Sequence, residues 1–184
     1  GSAFAQVCNR LGDDVPTIAD TDYFINGFNA LQQLVSNGLI LAGHDISAGG
    51  LITTLLEMNF ANTTFGINAE ISHFGNGDPV KALFSENPGV VVQVKDTDLH
   101  KVTNILDEHG IAYSYIGRPQ EKRELTISIN GELLHFNIDL LRDVWYETSY
   151  LLDCKQSGEQ KAKERYDNYK KQPLNIRLPK DFDG

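Results

Sequence analysis

"GHDISAGGLITTLLEM", residues 43–58, joins a short apolar run to an apolar helical pattern through an acid, a hydroxyl and two consecutive glycines. Leu39 to Ala42 read as a short buried strand ahead of it. Behind it, the spacing of Leu51, Leu55 and Met58, flanked by Ile52 and Leu56, predicts a helix that is apolar over most of its circumference and therefore internal. Glycine inside a helix costs up to about 1 kcal/mol relative to alanine, so two of them at a helix start call for a physical reason. One reason is access. Without Cβ, the first-turn N–H groups, which lack helical partners and sit at the positive end of the dipole, stay open to an anion. Ser47 is then the expected N-cap, with Ala48, Gly49 and Gly50 as the first three helical residues. Asp45 would repel a bare phosphate there. Mg2+, which takes one or two carboxylates together with phosphate oxygens, removes the repulsion, so Asp45, Ser47, Gly49 and Gly50 together suggest a Mg-nucleotide.

The other reading is a capped helix whose glycines allow close helix–strand packing. D-x-S-x-G-G is neither a Walker A loop nor a dinucleotide fingerprint, and spacing alone leaves both readings open. His44 reads as a satisfied, partly buried histidine rather than a general base. Glu57, on the same helix, reads as a surface or interface acid rather than half of a pair with Asp45.

Outward from the loop, Phe24, Phe28, Leu31 and Val35 form one apolar face of a helix over residues 22–37, stopped by Asn37-Gly38. Strands are expected in "TTFGINAEI", "PGVVVQVKD" and "IAYSYIG". "DPVKALFSE" predicts a short helix with Asp78 as N-cap and Pro79 at its first position, and "TDLHKVTNILDEHG" a helix ended by Gly110. Asn130-Gly131 marks a hairpin. A last amphipathic helix places Ile138, Leu141, Trp145, Ser149 and Leu152 along one line, as core or interface material. The element order predicts an α/β or α+β layered domain. Residues 1–153 form this domain, and residues 154–184 a charged helical tail followed by an extended linker.

Of 184 residues, 25 are acidic and 16 basic, and no basic stripe carries interleaved aromatics, so the formal charge of −9 argues against nucleic acid as a partner. No apolar run approaches a membrane span, and the chain reads as cytoplasmic and soluble. Cys8 and Cys154 are expected as free thiols, and the five histidines lack the spacing of a zinc site.

Four blocks carry a resemblance that spans nearly the whole chain: "GSAFAQVCNRLGDDVP", "LILAGHDISAGGLITTLLEMNFA", "LFSENPGVVVQV", and "LRDVWYETSYLLD" with "LNIRLP". They resemble the C-terminal domain of the aminoimidazole ribonucleotide synthetase superfamily. More closely, they resemble the last such domain in the large, single-chain phosphoribosylformylglycinamidine synthases. The W-x-E-T-S helix separates the chain from selenophosphate synthetase and thiamine-phosphate kinase relatives. Two positions depart from the family pattern: Ala48 replaces the second acid of D-x-S-D-G-G, and Asn87 that of L-F-x-E-E.

The resemblance implies an α+β fold, a layered α/β domain with a mixed sheet flanked by helices, and an ATP- and glutamine-dependent ligase of purine biosynthesis. ATP activates the amide oxygen of formylglycinamide ribonucleotide, and ammonia from glutamine gives the amidine. It further implies that Asp45 is a Mg2+ ligand and Ser47 an ATP/ADP contact of a second, structural nucleotide site. The partners it implies are preceding synthetase domains and a following glutaminase domain of the same full-length chain, with no catalytic residue in this stretch. The alternative is a scaffold domain with a vestigial nucleotide loop.

Overall fold

A computed structural model describes residues 2–12, 15 and 17–171. The chain divides into two compact units, residues 1–142 and 143–184. The boundary falls inside a helix, whereas the sequence reading draws it after residue 153. The expected extended segment at the C-terminus lies outside the described residues.

The first unit opens with a short helix α1 (Ala3–Val7) capped by the Ser2 hydroxyl. Helix α2 (Thr21–Ser36) begins at Asp20, whose carboxylate accepts the Tyr23 N–H, and stops at Asn37, followed by Gly38 at φ 65°. Strand β1 (Ala42–Asp45) leads to helix α3 (Gly50–Phe60) and strand β2 (Gly66–Glu70). Helix α4 (Pro79–Phe84) has Asp78 accepting the Val80 and Lys81 N–H groups and Pro79 in its first turn, as its sequence requires. Strand β3 (Val90–Gln93), helix α5 (Leu99–Glu108), strands β4 (Gly117–Gln120), β5 (Glu124–Ile129) and β6 (Glu132–Asn137), and the start of helix α6 (Ile138–Ser157) complete the unit.

β1 and β3 pair antiparallel, while a second sheet has the order β4-β2-β5-β6. Within it β2 and β5 run parallel and the other pairs antiparallel, so the sheet is mixed, with helices packed on it. The β5–β6 turn has Asn130 at φ 52° and Gly131 at φ 83°, the left-handed pair an Asn-Gly hairpin needs. Leu125, Ile127 and Ile129 alternate onto one face of this sheet and are almost fully buried. They join Leu51, Ile52 and Leu55 of α3, Ala82 and Leu83 of α4, and Ile138 in the main core. A smaller cluster packs Ala30 and Leu34 of α2 with Leu39 and with Val102 and Ile105 of α5.

Three expectations need correction. The strand before the loop covers residues 42–45 rather than 39–42, because Leu39 is drawn into the α2–α5 cluster; backbone pairing extends back only to Leu41, whose N–H donates to the Gln93 carbonyl at 2.8 Å. The expected strand over 111–117 does not form over residues 111–115: Ile111 packs on the smaller cluster and Ile116 on the main core, with Tyr113 and Tyr115 exposed. Pairing starts at the Ile116 carbonyl, which accepts the Glu70 N–H at 2.7 Å; at Gly117 the backbones lie too close for a Cβ, and β4 carries Pro119 at an edge of the sheet, where its missing N–H is tolerated.

The predicted apolar face of α2 points away from its core: Phe24, Phe28 and Val35 are 44%, 56% and 56% exposed. The buried side is the one with small residues, Gly27 and Ala30, which lets Ile111 and α5 approach. Along α6, Ile138 lies in the main core, while Trp145 and Leu152 are exposed.

In the second unit, α6 continues to Ser157, Gly158 turns the chain at φ 88°, and helix α7 (Glu159–Asn168) follows. Arg165 donates to both Asp153 carboxylate oxygens, at 2.8 and 2.6 Å, and holds that carboxyl below its usual range, with Ser157 assisting. Tyr166 packs its ring against Tyr146 and Tyr150. Among the described residues no helix is long and apolar enough to cross a membrane.

Candidate functional site: the β1–α3 loop

β1 delivers Asp45 at its last paired position, opposite Val90. The Asp45 carbonyl accepts from the Thr54 hydroxyl at 3.0 Å and from His44 Nδ1 at 2.7 Å, so the backbone of the turn is held from two sides. Its carboxylate, by contrast, is 74% exposed. Ser47 and Ala48 are exposed, Gly49 is partly covered and Gly50 is buried. The loop thus presents a carboxylate and a hydroxyl to solvent two residues apart, on a backbone pinned by a buried threonine.

Ser47 is not the helix cap. The helix starts at Gly50, and Gly49 is the N-cap, in the left-handed region at φ 88° and with no side-chain cap. Ser47 instead closes the turn through its carbonyl, which accepts the Gly50 N–H at 3.0 Å. Ala48 and Gly49 therefore precede the helix. Both glycines need positive φ, which accounts for the pair on conformational grounds.

Gly50 has a second requirement. A Cβ there would lie 2.7 Å from the Leu83 carbonyl oxygen and from Phe84 backbone atoms. The close approach is to the end of α4, not to a strand. At Gly49 a Cβ would meet the Thr53 side chain, so a methyl would disturb the cap as well as any approaching anion.

The Gly49 N–H is already occupied by a carboxylate of the protein itself. Glu86 Oε1 accepts it at 2.8 Å, and the same oxygen accepts the Ala3 N–H of α1 at 2.8 Å. Glu86 lies in the α4–β3 connection, which also packs against the loop elsewhere: the Ile46 N–H donates to the Gly89 carbonyl at 2.8 Å. Glu86 stands 37 residues from Gly49 in the chain, and no local spacing could have linked the two.

His44 is satisfied and partly buried, as its reading requires, with Nε2 3.1 Å from Glu57 Oε2. Glu57 is only 21% exposed and faces the histidine beside Asp45. It is a local partner of the strand rather than an outward surface acid. α3 folds back along β1, so a residue about two turns into the helix returns to the strand.

The donor set suits a hard cation shared with phosphate only in part. Asp45 and Ser47 supply oxygen ligands of the kind Mg2+ takes. Among the described residues no group of three His, Cys, Asp or Glu side chains could hold a metal ion by itself. A shallow concavity of about 540 Å³ lies in the second unit between α6 and α7, lined by Tyr150, Lys163 and Tyr166 among others, and none of the predicted site residues borders it.

Residues 10–130 match the family described as "AIR synthase related protein, C-terminal domain". The chain is 36% identical over 156 residues to a probable phosphoribosylformylglycinamidine synthase, chloroplastic/mitochondrial, of Arabidopsis thaliana, covering 83% of this chain and 11% of that protein. It is 37% identical over 175 residues to phosphoribosylformylglycinamidine synthase of Dictyostelium discoideum, covering 86% and 13%. The Schizosaccharomyces pombe protein of the same name is 35% identical over 173 residues, covering 91% and 13%. The chain therefore spans about an eighth of the length of these relatives.

Among solved structures it resembles T. maritima PurL complexed with ATP, with a TM-score of 0.60 and 17% identity over 68% of this chain and 22% of that one. T. maritima PurL complexed with FGAR gives 0.56 and 19%, over 63% and 20%. At that identity the likeness shows the fold alone: the mixed sheet and its flanking helices are those of the aminoimidazole ribonucleotide synthetase C-terminal domain. By the match over residues 10–130 and the fold it shares, the chain belongs to the AIR synthase related protein, C-terminal domain family.

Proposed function

We propose that this chain is the last synthetase-type domain of a phosphoribosylformylglycinamidine synthase, an ATP-dependent C–N ligase of purine biosynthesis with glutamine as the nitrogen donor. Its part in that protein is to supply half of a Mg-nucleotide site. The observation that carries this reading is the 35–37% identity to three proteins of that name over most of the chain. The geometry of the loop is consistent with it: Asp45 and Ser47 are exposed on a turn whose backbone is fixed from beneath. Asp45 would hold Mg2+ and Ser47 would contact the phosphates, while preceding synthetase domains would complete the ligand set. Bound Mg2+ offsets the phosphate charge next to Asp45. A following glutaminase domain would release the ammonia, so this domain alone is expected to turn over nothing.

A second reading rests on a specific observation. Glu86 occupies the Gly49 N–H, and Gly50 packs on the end of α4, so both glycines have structural uses without any ligand. On that reading the domain is a scaffold with a vestigial loop.

Nucleotide content and thermal midpoint of the purified full-length protein decide between them, with Asp45→Asn and Ser47→Ala as variants. The ligase reading expects wild type to retain ADP and to gain stability with Mg-ADP, by about 2.7 kcal/mol at a hundred times Kd. Asp45→Asn should lose most of that gain with its ligand-free midpoint unchanged. Equal nucleotide content and an equal Mg-ADP response in both variants would leave the scaffold.

A further inference from the structure

Asn26, Asn37, Asn76 and Asn130 each stand directly before a glycine. With no Cβ to obstruct it, a glycine nitrogen can swing onto the side-chain carbon of the asparagine before it. All four asparagines are exposed, so exposure does not choose among them. Hydrogen bonding does. The side-chain amide must be free to turn, and the following N–H must not be tied elsewhere.

Gly27 lies inside α2, where its N–H serves the helical ladder, and Gly38 donates its N–H to the Val35 carbonyl at 2.9 Å. At the hairpin tip it is the asparagine that is tied. Asn130 Nδ2 donates to the Gly77 carbonyl at 2.8 Å, and the Asn130 N–H donates to the Ser72 hydroxyl at 2.9 Å. Asn76, in the β2–α4 connection, meets both requirements. Its carboxamide has no hydrogen-bond partner among the described residues, and the Gly77 N–H reaches the Phe74 carbonyl only at 3.4 Å, beyond the usual range for such a bond. Asn76 also has a glycine on each side, where the other three follow Ile25, Ser36 and Ile129. Gly75, Asn76 and Gly77 all lie in the left-handed region, at φ 65°, 52° and 84°, and a Cβ on Gly77 would meet nothing within 4 Å.

We propose that Asn76 is the site at which the folded protein deamidates, and that Asn130 follows it in a fixed order. The Gly77 nitrogen attacks the Asn76 side-chain carbonyl carbon and closes a succinimide ring. The new N–C bond replaces the bond to the side-chain amino group, which leaves as ammonia with the proton that Gly77 gave up. Water then opens the ring: its hydroxyl goes to a ring carbonyl carbon, its remaining proton to the ring nitrogen, and the product is aspartate or isoaspartate. Nothing is oxidised or reduced. In the isoaspartate product the main chain runs through the former side chain and is lengthened just before Gly77. That displaces the carbonyl on which Asn130 Nδ2 is held, and the second Asn-Gly pair is released.

The test is ageing of the purified full-length protein in heavy-oxygen water at mildly alkaline pH, followed by peptide mass spectrometry, with a sample unfolded in urea alongside. Unfolded, the four pairs should convert at similar rates, since no tertiary contact distinguishes them. Folded, Asn76 should convert first, with Asn26 and Asn37 slower by about tenfold, the factor for a reaction that must first break one hydrogen bond. Asn130 should show a lag and then follow. Asn76→Gly keeps the left-handed backbone but has no carboxamide to react, so Asn130 should stay unconverted in that variant through the period in which wild type loses it. Folded-state conversion of Asn26 or Asn37 as fast as that of Asn76, or an intact Asn76 beside a converting unfolded sample, overturns the assignment. Conversion of Asn130 without a lag, and equally in Asn76→Gly, overturns the order.

Discussion

Helices α3 and α2 are both rich in large apolar residues, yet they meet opposite fates. α3 buries or half-buries every residue, from Gly50 under the end of α4 to Asn59, whose side-chain amide donates to the Leu55 carbonyl. α2 buries only Ala30 and Leu34 and turns Tyr23, Phe24, Ile25 and Phe28 outward. The difference lies in the residues between the large ones. α3 is apolar over most of its circumference and its polar residues find partners inside the fold, Thr54 at the Asp45 carbonyl, Glu57 at His44 and Asn59 at the Leu55 carbonyl, so it becomes the centre against which the sheet and α4 pack. α2 offers two sides, one lined with phenylalanines and one carrying Gly27 and Ala30. α5 took the side it could approach most closely. Bulk sets how much a face gains by burial; small residues set whether a neighbour can reach it.

The comparison fails first if α3 is not the centre. Leu55→Ala removes a side chain that is 1% exposed in the main core and should destabilise the protein by about 2–5 kcal/mol in urea unfolding, with the slope unchanged. A loss below about 1 kcal/mol would mean that α3 can be repacked at will.

Gly50→Ala should follow, at about 1–3 kcal/mol, because the residue sits at φ 73° and the new Cβ meets the α4 backbone rather than a side chain that can rotate. Full stability in that variant would show that α4 does not press on the start of α3.

Glu70 tests the rim of the main core through pH. The Ser128 hydroxyl, then the Ser72 hydroxyl and N–H, hold its carboxyl at about 2, against an ordinary 4.5. A folded value below the unfolded one stabilises the protein above pH 4.5 and loses that effect as pH falls toward 2. The urea-midpoint gap between wild type and Glu70→Gln should therefore be constant near neutrality and close over that acid range. The group is exposed and the gap small; a gap that persists undiminished at the acid end would refute the pairing.

Smallest of all, Phe28→Ser on the outward side of α2 should change the stability of this chain by no more than about 0.5 kcal/mol. A loss comparable to that of Leu55→Ala would place Phe28 in a core and reverse the comparison.

Local chemistry determined a good part of this protein before any tertiary contact formed. Asp78-Pro79 starts α4, Asn37-Gly38 stops α2, Asn130-Gly131 turns the hairpin, and the all-round apolar pattern of α3 makes it internal, each because a cap, a left-handed residue or a solvent-averse surface acts within a few residues of itself. The layered α/β or α+β class was legible on the same basis, and the mixed sheet and the family through the quoted blocks. What tertiary structure decided is what depends on distant partners. Which side of α2 is covered depended on α5. The stretch over 111–117 pairs only at its end, where the Ile116 carbonyl accepts the Glu70 N–H and Gly117 lies against the Asn68 backbone, because its start packs on the α2–α5 cluster instead.

At the loop the division is the same. Asp45 and Ser47 were singled out by their type and spacing, but the start of α3 moved to Gly50 because both glycines adopt positive φ. Glu86 reached the Gly49 N–H because α4 ends against the start of α3, and Glu57 reached His44 because α3 folds back along β1. A hydrogen bond across 37 residues leaves no periodic trace in a chain, since nothing local repeats to produce it.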